Sequence, residues 1–171
     1  MPQAIFPSTA NDEQPQANAL LTLEVTVVAD WIDYNDHMTE WQYYKLLADA
    51  SENFLRAAGF SEEYRLEGHS FFSVHGILRN LKECRVGSQL NVYTEMIGYD
   101  SIRLHIYQYI VDPVRAVTVA TGEHLLLHVN THIRKVANMQ YSMSNQLENA
   151  LLNWKPILKP KGLGEPIKPY R

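Results

Sequence analysis

Residues 30–59, DWIDYNDHMTEWQYYKLLADASENFLRAAG, join a polar motif to a long helical pattern. Thr39 followed by Gln42 fits a capping box at the start of a helix, and Gly59 suits the left-handed position after its end. The pattern therefore predicts one helix over residues 40–58. Apolar or small side chains recur at helical spacing and predict a single buried stripe: Trp41, Tyr44, Leu47, Ala48, Ser51, Leu55 and Ala58. The small side chains in this stripe predict close packing of the helix against a sheet.

Strand-like runs flank this helix on both sides. Residues 20–31 are rich in β-branched side chains and predict one strand before it. Four further strands are predicted at 71–82, 89–99, 102–112 and 116–130. The connections between these four strands are short and suit antiparallel neighbours. One strand, a long helix and four strands, with a last short helix at 142–154, indicate an α+β fold.

The chain is divided into one domain and two tails by its composition. Residues 1–19 are rich in Pro, Gln, Asn and Ala and have no periodicity, so we expect a flexible N-terminal tail. Residues 20–154 carry all the strand and helix patterns and form the predicted domain. Residues 155–171 contain four prolines and five basic residues and are expected to form an extended C-terminal tail.

Bulk composition excludes several classes of protein. The net charge of −4 over 171 residues disfavours a nucleic-acid binder, which needs a basic surface. No run approaches the roughly 20 apolar residues that span a bilayer, and the N-terminal residues lack the features of a secretory signal. The single cysteine, Cys84, permits no intrachain disulfide, which fits a reducing compartment. We therefore expect a cytoplasmic protein without membrane or nucleic-acid partners.

The segment DWIDYNDHM resembles the Asp-x-x-Gly-His motif of hotdog-fold acyl-CoA thioesterases of the 4-hydroxybenzoyl-CoA thioesterase type. The resemblance covers residues 20–140. It implies a five-stranded antiparallel sheet wrapped around one long helix, and an acyl-CoA substrate. It also implies a homodimer or homotetramer with the site between subunits. One departure is Asp36, where these enzymes have Gly.

Three segments together resemble a narrower group, the betainyl-CoA thioesterases of carnitine breakdown. These segments are residues 30–40, 68–74 and 120–130. Asn130 departs from the Asp that this group often has. The narrower resemblance implies hydrolysis of betainyl-CoA to glycine betaine and CoA.

The resemblance assigns catalytic roles to the polar motif. Asp33 takes the role of the family's carboxylate, which either attacks the thioester or deprotonates a water molecule. A backbone N–H near Glu40, at the positive end of the helix, would stabilise the oxyanion. Asn35 and His37 would orient Asp33 or the water, or contact the acyl group. The alternative is structural, since Asp, Asn and Thr before a helix are common turn and cap residues.

Aromatic side chains around the motif are candidates for binding a quaternary ammonium group. Such a cation cannot donate a conventional hydrogen bond and is held by aromatic faces. Trp31 and Tyr43 are the predicted contacts, whereas Trp41 and Tyr44 fall on the stripe assigned to the core. His69 precedes a predicted strand and is a further candidate for substrate contact.

The remaining histidines do not predict a metal site. His124, His128 and His132 recur every four residues, but the surrounding residues indicate a strand. Successive members of this set would then lie about 13 Å apart, too far to share one metal ion. We therefore predict no metal site and no cofactor.

Two other functions compete with thioester hydrolysis. Hotdog-fold hydratases carry an Asp-x-Asn-Pro-x-His pattern; Asp33 and Asn35 match it, but the Pro is absent and His37 comes one residue early. A dehydratase of the same fold would need a different His-containing turn. A hotdog domain could also bind acyl-CoA without turning it over.

Overall fold

The computed structural model describes residues 13–165. The described elements, in chain order, are β1 (Leu20–Thr26), a single 3-10 turn (Ala29–Trp31), α1 (Glu40–Ala57), α2 (Glu62–Leu66), β2 (His69–Asn80), β3 (Gln89–Tyr99), β4 (Arg103–Asp112), β5 (Val117–Asn130), β6 (Lys135–Val136) and α3 (Tyr141–Trp154). This order confirms the α+β prediction of one strand, a long helix and four long strands.

One antiparallel sheet holds all the strands, in the order β1-β3-β4-β5-β2, and this confirms the five-stranded arrangement. The two-residue β6 pairs with the end of β5 and was not predicted. The first strand ends at Thr26, so its predicted extension to residue 31 is wrong. Val27 exchanges backbone hydrogen bonds with the β2–β3 connection, and the chain then turns toward α1.

The sheet curls around α1, which packs against β1, β3 and β5. The buried side of the helix is formed by Gln42, Tyr43, Leu46, Leu47, Ala50, Ser51, Phe54 and Leu55. The predicted stripe was therefore partly wrong. Leu47, Ser51, Leu55 and Ala58 are buried, but Trp41 and Tyr44 are 61% and 41% exposed. Apolar side chains surround the first two turns of α1, so periodicity alone could not select the face that meets the sheet.

A buried amide links α1 to the sheet. Gln108 on β4 is fully buried, and its Nε2 donates to the carbonyl of Leu47, 3.1 Å away, and to Thr94 Oγ1. Ser51 Oγ donates to the same Leu47 carbonyl at 2.8 Å. Burying polar groups is costly unless they are paired, so these bonds hold α1 at one position along the sheet.

The described parts of the two predicted tails contact each other on the outer face of the sheet. Gln16 Nε2 donates to the Leu158 carbonyl at 2.5 Å, and the Leu158 N–H donates back to Gln16 Oε1 at 2.8 Å. Tyr107 on β4 donates its hydroxyl proton to Glu13 at 3.1 Å. Residues 1–12 and 166–171 of these tails lie outside the described residues. Within residues 13–165, no helix combines the length and apolarity required to cross a membrane.

Candidate active site

A short antiparallel ribbon leads into the first turn of α1. Ile32 and Met38 form its central bridge, and the Thr39 N–H donates to the Trp31 carbonyl at 2.9 Å. These bonds fix the path of the chain just before the helix. Because of this path, the polar motif lies beside the N-terminus of α1 and does not extend away from it.

A three-residue turn closes the ribbon at the polar motif. The Asp33 N–H donates to the His37 carbonyl at 2.9 Å, and the Asp36 N–H donates to the Asp33 carbonyl at 3.1 Å. Asp36 has φ +60°, the left-handed conformation that commonly ends such a turn. The thioesterases that the motif resembles have Gly at this position, and Asp is among the few other residues that tolerate it.

The Asp33 carboxylate is held by Asn35. Its Oδ1 accepts the Asn35 backbone N–H at 2.8 Å, and its Oδ2 accepts the side-chain amide of Asn35 at 3.4 Å. The backbone N–H is the main cause that lowers the pKa of Asp33 below its ordinary value, against a smaller opposing effect of desolvation. Asp33 is therefore ionised at neutral pH, as attack on a thioester requires. An Asp that only stabilises a turn would make the same two hydrogen bonds.

His37 does not direct its ring to Asp33. Its Nε2 lies 2.7 Å from Glu83 Oε2, on the connection between β2 and β3. The His37 carbonyl accepts the Asp33 N–H, and the backbone N–H and the imidazole of His37 make smaller contributions to the lowered pKa of Asp33. The structure thus brings Asn35 to Asp33 and joins His37 to Glu83. Sequence reasoning missed Glu83, because nothing local links it to a residue 46 positions earlier.

The N-terminus of α1 has no side-chain cap. Thr39 occupies the predicted N-cap position with extended backbone, but its side chain makes no capping hydrogen bond, so the predicted capping box is wrong. Within residues 13–165, the buried Thr39 Oγ1 has no hydrogen-bond partner, and the N–H groups of Glu40 and Trp41 have no acceptor. These two N–H groups carry the positive end of an 18-residue helix.

The ribbon brings the carboxylate close to these donors. Asp33 lies two residues along the ribbon from Trp31, whose carbonyl binds the Thr39 N–H. Two residues of extended chain span about 7 Å. The ribbon therefore places Asp33 about two residues of extended chain from the residue that binds the N-cap of α1.

The two aromatic residues predicted to contact the substrate, Trp31 and Tyr43, differ in exposure. Tyr43 is 4% exposed, packs in the core, and donates its hydroxyl proton to the Lys82 carbonyl at 3.4 Å. Burial raises the pKa of Tyr43 far above its ordinary range. Trp31 is half-buried and packs against the same core cluster. The ring of Tyr43 therefore has almost no free surface for a substrate, whereas Trp31 keeps part of its surface.

His69 lies far from Asp33 within one chain. It stacks on Tyr64 of α2, with ring centroids 4.5 Å apart, and its Nε2 lies 2.9 Å from Gln140 Nε2. The α2 segment follows the C-terminal end of α1, and a helix of 18 residues is about 27 Å long. Asp33 and His69 are thus near opposite ends of α1.

A cavity of about 360 Å³ lies along the exposed side of α1, between the helix and strands β2 and β5. Its lining includes Tyr44, Ala48, Ser51, Leu55, Phe71 and His124, but not Asp33. Sequence reasoning assigned four of these residues to the core stripe and treated His124 only as a possible metal ligand. Tyr44 and Ala48 of the predicted stripe therefore line a cavity and do not belong to the core.

A family model described as "Thioesterase-like superfamily" matches residues 27–147. The chain belongs to the thioesterase-like superfamily. The matched residues include the ribbon, α1 and the four strands β2 to β5, but not β1.

Two curated relatives within this superfamily differ in length. The L-carnitine dehydrogenase/betainyl-CoA thioesterase of Agrobacterium fabrum is 38% identical over 82% of this chain, but the match covers only 29% of that relative. The betainyl-CoA thioesterase of Pseudomonas aeruginosa is 28% identical over 88% of this chain and 96% of its own length. The chain therefore spans under a third of the first relative and nearly all of the second.

Solved structures of other proteins share the fold. A hypothetical protein from Staphylococcus aureus, in complex with CoA, has a TM-score of 0.81 at 25% identity, covering 95% of this chain and all of that one. A 1,4-dihydroxy-2-naphthoyl-CoA thioesterase from Synechocystis has a TM-score of 0.66 at 16% identity, covering 78% of this chain and 96% of that one. These matches confirm the hotdog fold.

Because Asp36 has positive φ, a β-branched side chain at this position should lower the stability of the fold. We expect Asp36→Val to lower the free energy of unfolding by about 1–2 kcal/mol, because a β-branched residue is strained in the left-handed region. Asp36→Gly should leave stability within about 1 kcal/mol of the wild type, since Gly adopts this conformation readily. Urea unfolding followed by circular dichroism measures both changes.

Tyr34→Val provides the matched control. Tyr34 is 95% exposed in the same turn and is not among the residues with positive φ. We expect it to change stability by less than about 0.5 kcal/mol. Equal losses in Asp36→Val and Tyr34→Val would contradict the conformational argument.

Proposed function

We propose that this chain is an acyl-CoA thioesterase that hydrolyses betainyl-CoA to glycine betaine and CoA. The observation that carries the proposal is the Asp33 carboxylate, held by Asn35 in the ribbon that leads directly into the uncapped N-terminus of α1. Two comparisons support it: the relatives whose names include betainyl-CoA thioesterase, and the related fold that binds CoA.

The proposed chemistry uses the carboxylate and the helix N-terminus together. The thioester carbonyl would lie with its oxygen toward the N–H groups of Glu40 and Trp41, which stabilise the negative charge that develops. Asp33 would either attack the carbonyl carbon, releasing CoA thiolate and leaving an anhydride that water hydrolyses, or deprotonate the attacking water. Both routes require Asp33 to be ionised. Asn35 would hold the carboxylate in place.

Replacing the carboxylate by an amide tests this assignment. We expect Asp33→Asn to lower kcat for betainyl-CoA at least about 100-fold, because an amide neither attacks the carbonyl nor accepts a proton from water. Free thiol release measures turnover, and urea unfolding checks that the fold is retained. Turnover close to the wild-type rate would remove Asp33 from the mechanism.

Asp36→Asn is the matched control for this variant. It removes a carboxylate from the same turn, and Asn also tolerates the positive φ of this position. We expect it to change kcat less than about threefold, since no role in the chemistry falls on Asp36. Hydration of an enoyl-CoA by the wild-type protein would favour the hydratase alternative. Binding of acyl-CoA without any turnover would favour the non-catalytic alternative.

The proposed substrate carries a permanent positive charge, so a neutral substrate of equal shape tests its recognition. In 3,3-dimethylbutyryl-CoA a carbon atom replaces the quaternary nitrogen of betainyl-CoA. We expect kcat/KM to be higher for betainyl-CoA by about 3-fold or more, the smallest effect of one cation–π contact. Equal values for the two thioesters would exclude recognition of the charge.

We also propose that two copies of the chain pair through the outer edge of β2. Strand order leaves β2 at an edge of the sheet, and Phe72 and Val74 on it are 51% and 52% exposed. Pairing two such edges around a two-fold axis would extend both sheets and cover these apolar side chains. It would also set the two α1 helices antiparallel. Within one chain, Asp33 and His69 lie near opposite ends of α1. In the antiparallel pair, Asp33 of one copy would approach His69 of the other copy.

The mass of the protein in solution tests this pairing. We expect wild-type protein to be a dimer or a multiple of it by light scattering, and Phe72→Lys/Val74→Lys to be a monomer, because buried unpaired lysines oppose association. Val114→Lys is the control, since Val114 is 76% exposed in the turn between β4 and β5. A monomeric wild type at micromolar concentration would contradict the proposal.

A further inference from the structure

We propose that the cavity beside α1 receives the acyl group, and that the ring face of Tyr44, which packs against His124, recognises its trimethylammonium group. The inference rests on the proposed thioesterase function and concerns the specificity of that site. The two residues lie in the part of the cavity closest to the N-terminus of α1. Their rings meet edge to face, with centroids 5.5 Å apart.

Two glycines make room for these rings. Gly76 on β2 pairs across the strands with His124 on β5, and a Cβ added to Gly76 would lie 2.7 Å from Tyr44 Oη and 3.1 Å from His124 Nδ1. A Cβ on Gly122 would lie 2.5 Å from Leu47 Cδ1 and 3.3 Å from His124 Nε2. Glycine inside a strand weakens the strand and often marks a close approach. Here both glycines border the same imidazole ring.

His124 has a polar atom that the fold leaves unsatisfied. The residue is 3% exposed, and its buried Nε2 has no hydrogen-bond partner within residues 13–165. An unpaired buried N–H is costly, so the neutral ring with a bare Nε2 is favoured over the imidazolium. Burial lowers the pKa of His124 in the same direction, against a smaller opposing effect of Glu123. A neutral ring beside a bound cation avoids electrostatic repulsion.

The charged side chains of the cavity already have partners. Glu52 pairs with Arg56, with an N–O distance of 2.5 Å, and Arg65 pairs with Glu62. Glu123 adjoins His124 on β5 but does not line the cavity, and it binds His105. No unpaired cation among the described lining residues therefore opposes a positively charged ligand, and ring faces are the attraction that the cavity offers.

The length of the betainyl group fits this position. Tyr44 lies one helical turn after Glu40, which is about 6 Å along the axis. In a betainyl group the quaternary nitrogen is roughly 2.5 Å from the carbonyl carbon, as in the N–Cα–C unit of a peptide. A carbonyl at the N-terminus of α1 thus leaves the trimethylammonium within the roughly 6 Å at which cations contact ring faces.

Selectivity between the charged and the neutral thioester tests the proposal. We expect Tyr44→Leu to lower the ratio of kcat/KM for betainyl-CoA to that for 3,3-dimethylbutyryl-CoA by roughly 3- to 30-fold. His124→Leu should change this ratio in the same direction, because the buried His124 ring packs against Tyr44. Tyr44→Phe should keep the wild-type ratio, because the ring face remains. Tyr141→Leu, a control at an 86% exposed tyrosine on α3, should also keep it. An unchanged ratio in both leucine variants would overturn the proposal.

A binding measurement separates this proposal from the proposed catalytic role of Asp33. In the Asp33→Asn background, calorimetry gives Kd for betainyl-CoA and its neutral isostere without relying on turnover. Adding Tyr44→Leu should weaken binding of betainyl-CoA by roughly 3- to 30-fold and leave binding of the isostere nearly unchanged. Equal weakening for the two thioesters would refute recognition of the charge by Tyr44, whether or not the wild-type protein hydrolyses either thioester.

Discussion

Only one side of α1 is buried, and this determines where the sheet, the cavity and the exposed helix N-terminus lie. The sheet curls over that side, and the amide of Gln108 binds the Leu47 carbonyl, which holds the helix at one position. Because the other side stays uncovered, Ala48 and Tyr44 face a cavity and not the core. The same arrangement leaves Glu40 and Trp41, at the N-terminus of α1, exposed.

The turn before α1 combines a structural and a proposed chemical role in one residue. The Asn35 N–H that completes the turn at Asp33 is also the main cause of its lowered pKa. A carboxylate that is fixed by the backbone stays ionised without a cationic partner, which would compete with a substrate for the same oxygen atoms. Asp36 keeps this turn because it adopts the conformation that Gly would otherwise supply. Asp36 is therefore compatible with this turn, although it departs from the family motif.

Several polar groups near α1 lack the partners that a purely structural role would provide. Thr39 Oγ1 and His124 Nε2 are buried without hydrogen bonds in the described part of the chain, and Gly76 and Gly122 interrupt two strands beside His124. Such features lower stability, and natural proteins tend to keep them where a site requires them. Their position along the first half of α1 agrees with the proposed site, which combines the ribbon, α1 and the cavity.

Features that depend on neighbours along the chain could be predicted from the sequence. The order of helix and strands, the left-handed Gly59 and the Asp33–Asn35 pair are of this kind, because each arises from contacts within a few residues. The buried side of α1 and the pairing of His37 with Glu83 could be read only from the complete fold. Those outcomes depend on side chains that are distant in sequence, and the curvature of the sheet, not helical periodicity, selects among several apolar faces.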